Sequence, residues 1–141
     1  MIIHTRAKLL AFVTVGMALF NAHDAAAEQS YDSISQCFWV YAPIHELARE
    51  IDFQDLLFFT QSRVGWYAGY FQANKTNPSF KQAFERDLEK RKFAGLAMKE
   101  ELRRSILAKN NGAYLSIINK AVACDKTLGI KTQFIPSMAN R

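Results

Sequence analysis

Apolar positions recur at helical spacing along the whole chain, most densely from Asp52 to Asn74. At about 100° per residue, Phe53, Leu56, Leu57, Thr60, Val64, Tyr67, Ala68 and Phe71 fall near one meridian, and Phe59, Trp66 and Tyr70 form a second stripe beside it. The combined apolar arc covers about 200°, roughly twice what a helix lying on a single neighbour needs. This helix is therefore expected to be covered from two or three sides. Gln54, Gln61, Gly65, Gly69 and Gln72 occupy the remaining arc as a small, polar seam that a neighbouring backbone could approach closely.

Three more helical segments flank it. Ser33, with Gln36 three residues on, forms a capping box for the first. Its inward positions are Ile34, Cys37, Phe38, Tyr41, Ile44, Ala48 and Ile51, and Pro43 should kink it or split it in two. Asp52 is the expected cap of the second helix, and Asn77 followed by Pro78 the start of the third. The third segment, Ser79 to Lys109, keeps Phe80, Phe84, Leu88, Gly95, Met98, Leu102 and Ile106 in phase. Unbroken it would be about 46 Å long against about 32 Å for the second helix. It either overhangs its neighbours or breaks near Phe93-Ala94-Gly95. Asn110-Asn111-Gly112 reads as a helix stop. A fourth helix follows from Ala113 to Lys126, with Tyr114, Ile117, Ile118, Ala121 and Val122 inward. Beyond Gly129 the periodicity is lost, so residues 130–141 are expected to be a mobile or loosely docked tail.

No run alternates between apolar and polar residues, so the fold class is all-α, a small antiparallel bundle of four helices, or five if one breaks. Cys37 and Cys124 are the only cysteines. Cys37 lies near the start of the first helix and Cys124 near the end of the last, and an up-down-up-down bundle brings those points to the same pole. The pair is expected to form a disulfide staple, stabilising the fold by around 4 kcal/mol through the loop it closes.

The start of the chain changes where such a bond would be made. Arg6 and Lys8 precede an apolar run from Leu9 to Phe20, and Ala25-Ala26-Ala27 follows a polar spacer. These are the parts of a cleavable secretory leader, and the run is short of the roughly 20 residues that span a bilayer. The expected organisation is a signal peptide over residues 1–27, a helical domain over 28–129 and the tail. The expected location is the periplasm or the extracellular medium, with no membrane anchor after cleavage. The full chain carries a formal charge of +5. Loss of Arg6, Lys8 and Asp24 with the leader makes that +4, a mild bias that selects no class of partner.

Chemistry narrows the field by elimination. His45-Glu46 begins like a zinc-protease H-E-x-x-H, but Arg49 stands where the second histidine must be. Glu46, Glu50, Asp52 and Asp55 gather near one turn, where capping and solvated charge account for them. A haem between His45 and Met98 has only core spacing to recommend it. No nucleophile elbow is present, so no metal, no cofactor and no enzymatic activity are expected. The third segment interleaves Lys81, Arg86, Lys90, Arg91, Lys92, Lys99, Arg103 and Arg104 with Glu85, Asp87, Glu89, Glu100 and Glu101. That is a solvated helix face and not the one-signed footprint of a nucleic-acid binder.

Aromatic crowding is what remains. Of the 16 aromatic residues after position 27, 11 lie between Tyr31 and Phe71. Trp39 falls off the inward stripe of its helix, and Phe59, Trp66 and Tyr70 lie on the second stripe of theirs. The expectation is a non-catalytic exported binding protein, of inhibitor, immunity or chaperone type. It would recognise a protein of the cell envelope or exterior through Trp39, Phe59, Trp66 and Tyr70. The competing expectation is a carrier that holds a small apolar ligand between the first two helices and the third.

Overall fold

The structure is a computed structural model that describes residues 31–140; the leader and its cleavage point lie outside the described residues. Five helices make up the fold, with no strand among the described residues. They are α1 (31–50), α2 (Gln54–Asn74), α3 (Pro78–Glu85), α4 (Leu88–Leu107) and α5 (Asn111–Thr127). A short 3₁₀ turn, Met138–Asn140, follows the last.

The hub is α1. Its Tyr41, Ile44, Leu47 and Ala48 are wholly buried, and it touches all four other helices. Phe38 packs on Tyr67 and Phe71 of α2 and on Phe84 of α3. Pairing of 45 with 60 and of 38 with 71 makes α1 and α2 antiparallel. Cys37 is bonded to Cys124, and Tyr41 donates to the Ala121 carbonyl, so α1 and α5 are antiparallel too. Arg91 reaches Asp32, and Lys99 and Arg103 reach Glu50, so α4 runs parallel to α1. This is the up-down-up-down arrangement, with α3 and α4 sharing the third leg. The cysteines meet at one pole with Cα atoms 5.5 Å apart.

Several local expectations give way. The first helix already includes residue 31, so Ser33 lies inside it, and the helix is continuous through Pro43. The long third leg breaks at Arg86-Asp87, not near Gly95. Arg86 is extended and Asp87 has φ 53°. Arg91 secures the break, donating to the Ala83 carbonyl on one side and to Ser35 and Asp32 of α1 on the other.

Gly95 is instead a contact point. A Cβ there would come within 2.9 Å of both the Pro43 ring and the Trp39 carbonyl, so glycine lets α4 settle onto α1. The seam on α2 behaves in the opposite way. Among the described residues, nothing lies within 4 Å of a Cβ built at Gly65 or Gly69.

Helix ends follow a shared geometry. The amides of Phe53, Asn110 and Ile130 bond back to the carbonyls of Ala48, Ser105 and Asp125. Asp52, Lys109 and Gly129 supply the left-handed residue each such closure needs. Asp52 therefore ends α1 rather than capping α2, whose N-cap is Phe53. Asn110 caps α5 by accepting from the Ala113 amide, and Gly112 lies within that helix. Asn77 caps α3 as its sequence implies, accepting from Ser79 and Phe80.

The C-terminal segment runs back along the bundle. Thr132 donates to Asp125, Phe134 packs edge-on to Phe58, and the Pro136 carbonyl accepts from buried Tyr114. These ties follow α5 from its end towards its start.

Candidate functional site

Charged residues inside a small bundle are the first place to look for chemistry. Arg63 falls within the inward arc of α2, between Leu56 and Tyr67, and Asp125 falls in the middle of the inward stripe of α5. They meet as a buried pair. Arg63 Nε donates to Asp125 Oδ1 at 3.1 Å and Nη2 to Oδ2 at 2.5 Å. Arg63 also donates to the Phe59 carbonyl, and its guanidinium lies 4.5 Å from the centre of the Phe59 ring.

Asp125 accepts further hydrogen bonds from Tyr41 and Thr132. Burial alone would raise its carboxyl pKa, but the bonds from Arg63, Thr132 and Tyr41 outweigh that and hold it below the ordinary value. Burial and the neighbouring carboxylate push the Tyr41 hydroxyl far above its usual range. Every charged group in this knot is matched, and no proton is poised to leave near neutral pH. Its role is to join α1, α2, α5 and the C-terminal segment.

A second set of charges lies between α1 and α4. Lys99 reaches Glu46 at 3.1 Å and Glu50 at 2.5 Å, and Arg103 bridges Glu50 and Glu100. Hydrogen bonds from Lys99 and Arg103 lower the Glu50 pKa. The acidic gathering expected near the α1–α2 turn is thus divided, with Glu46 and Glu50 turned to cations. Among the described residues, no group of three or more His, Cys, Asp or Glu is placed to hold a metal ion. His45 contacts Thr60, and burial followed by the Arg49 charge lowers its pKa.

The four aromatic residues singled out from the sequence part company. Phe59 is 1% exposed and sits under Arg63, so it belongs to the core and not to a surface. Trp39 is half-buried over Gly95, and its Nε1 is enclosed with no hydrogen-bond partner among the described residues. Trp66 is 38% exposed and stacks on Tyr70, with ring centres 5.1 Å apart and planes 18° from parallel. Tyr70 in turn packs on Tyr31 and Phe80. Only Trp66 and Tyr70 share one surface.

That surface continues along α2. Every exposed residue of this helix, from Gln54 to Ala73, is uncharged; of its two charged residues, Arg63 is buried and Asp55 is half-buried. Gly65 and Gly69 leave a shallow strip beside Trp66, and Phe58 stands 70% exposed at the N-terminal end. The sequence marks Gln54, Gln61, Gly65, Gly69 and Gln72 of this arc as a small, polar seam that a backbone could approach closely, and all five are exposed. The absence of charge from it and its place opposite the apolar arc were both legible.

Concavities are modest. The rings of Phe38, Phe71, Phe80 and Phe84 fill the space between α1, α2 and α3, leaving a notch of about 200 Å³ over Phe71, Phe80 and Phe84. A wider groove of about 700 Å³ lies at the opposite pole, lined by Ile106, Leu107, Lys109, Asn111 and Met138. Among the described residues, no helix is long and apolar enough to cross a membrane. Comparison with protein-family models, with curated proteins and with solved structures finds no match to the chain.

Proposed function

We propose that the protein is an exported, non-catalytic binding protein that recognises a protein of the cell envelope or exterior through the outer face of α2. One observation carries this reading: a 21-residue helix whose exposed side holds no charge and includes a stacked Trp66–Tyr70 pair. Interface centres are depleted of charge and enriched in Trp and Tyr, whereas free surfaces of small domains are usually studded with Lys and Glu. The glycine strip beside Trp66 suits a partner whose backbone comes close. Export is supported by the leader-like start of the sequence and by the disulfide, which persists in oxidising compartments. Inhibitor, immunity and chaperone roles would all use such a face.

Gly69→Arg tests this without disturbing the core, because Gly69 is exposed and a Cβ there meets no atom of the described residues within 4 Å. The immobilised oxidised protein is presented with envelope extract, and bound proteins are identified by mass spectrometry. A partner retained by the wild type should be lost with Gly69→Arg and weakened about 30-fold by Trp66→Ala, as for a hot-spot residue. Circular dichroism should be unchanged for both. Identical capture by all three proteins would rule out the α2 face.

A further inference from the structure

We propose that the outer side of α5, together with the C-terminal segment beside it, docks the protein on a membrane surface rich in anionic lipid. Exposed charge is divided unevenly over the bundle. Among the described residues the exposed acids end at Glu101, and none lies on α2. Beyond Glu101 the exposed charges are Arg104, Lys109, Lys120, Lys126 and Lys131, all of them cations. Asp125, the one acid in this stretch, is sealed against Arg63. Beyond its first turn α5 exposes Ser116, Asn119, Lys120, Ala123, Lys126 and Thr127, which recur at helical spacing as one outer side. Only small or neutral groups stand among these lysines. The Ile130 amide bonds back to the Asp125 carbonyl and Thr132 donates to its carboxylate, which holds Lys131 at the end of α5. Lys109 stands at the other end, just before the helix begins.

The chemistry of this side favours a membrane over other anions. A helix of 17 residues spreads its cations over about 25 Å, which suits an array of headgroups and not a single bound ion. Tyr114, the one aromatic residue of α5, is buried, so the helix offers no ring on which a base could stack. Apolar groups stand at the edge, near the pole of Lys109. Leu107 is 74% exposed, and Ile135, beside the Pro136 that Tyr114 holds, is 51% exposed. Cations with a few protruding apolar side chains match the boundary between lipid headgroups and chains. Acids border this side only at its edges, with Glu101 on α4 and Asp52 and the half-buried Asp55 where α2 begins. The stacked Trp66–Tyr70 pair takes no part, so this proposal stands apart from the one made for α2.

Co-sedimentation of the exported, oxidised protein with vesicles tests it. Vesicles of about 40% phosphatidylglycerol in phosphatidylcholine should carry the protein down at about 50 mM salt, and about 0.5 M salt should release it. Vesicles of phosphatidylcholine alone should leave it in solution. Each cation near an anionic surface strengthens binding about fivefold. Lys120→Gln, Lys126→Gln and Lys131→Gln combined should therefore weaken it about 100-fold. Lys81→Gln, Lys90→Gln and Lys92→Gln combined remove the same charge from α3 and α4, and should bind within about twofold of wild type. All six positions are exposed, so helicity should be unchanged in both triples. Failure to bind the anionic vesicles would overturn the proposal. Equal weakening by the two triples would trace binding to net charge and overturn the assignment to α5. Retention on heparin without vesicle binding would make this a side for soluble polyanions and overturn the membrane as its partner.

Discussion

Helices α2 and α4 are nearly equal in length, 21 and 20 residues, and each has one side that the described residues leave uncovered. They treat charge in opposite ways. α2 hides its cation: Arg63 is sealed against Asp125, and the exposed side is left neutral and aromatic. α4 displays its charges: its uncovered side carries Glu89, Lys90, Lys92, Glu100, Glu101 and Arg104, and even its inward Lys99 ends on the half-exposed Glu50. Glycine is used in opposite ways as well, as a contact on α4 and as open surface on α2. Similar helices in one bundle can therefore carry different tasks, and the difference lies in where charge is allowed to reach water.

The largest effect expected from breaking this contrast is on the buried cation. Arg63→Met strands Asp125 without its countercharge and should cost about 3–5 kcal/mol in urea unfolding, whereas Lys99→Met, whose partners can turn to water, should cost under about 1 kcal/mol.

Acid should act on the same pair. The Asp125 pKa is depressed in the folded state, so its contribution is fully present above the ordinary carboxyl value of 3.8 and is lost as pH falls through the lower folded value. The stability gap between wild type and Arg63→Met should be largest near neutrality and begin to narrow above the ordinary carboxyl value, because without Arg63 burial raises the Asp125 pKa in the variant, as followed by urea midpoints across pH.

Next in size is Gly95→Ala, which forces a methyl group against Pro43 and the Trp39 carbonyl and should destabilise by about 1–3 kcal/mol. Gly69→Ala meets nothing and replaces a poor helix former, so a gain of about 0.5–1 kcal/mol in thermal unfolding is expected. If Gly69→Ala destabilised the protein instead, the outer face of α2 would have a neighbour after all.

What could be read from the chain beforehand follows the same division. Helical spacing alone locates the legs and the core of α5, since Tyr114, Ile117, Ile118 and Ala121 are wholly buried as their phase requires. The cysteine pairing follows once the helix order is known. Spacing also separates the arcs of α2, since Gln54, Gln61, Gly65, Gly69 and Gln72 are all exposed, but it does not say whether another element of the chain covers that arc. The Arg63–Asp125 knot was within reach, since each residue interrupts the inward stripe of its helix and the two carry opposite charge. The break at Asp87 was not. It depends on Arg91 gripping both Ala83 and α1, a tertiary arrangement that no local rule encodes.

Cys124 and Asp125 are neighbours in the chain, one bound covalently to α1 and the other held ionically to α2. Two fasteners of different chemistry thus share a single corner of the molecule. Thiols loosen the first and protons the second, so neither agent alone undoes that corner. Surroundings that are both reducing and strongly acidic would release it completely.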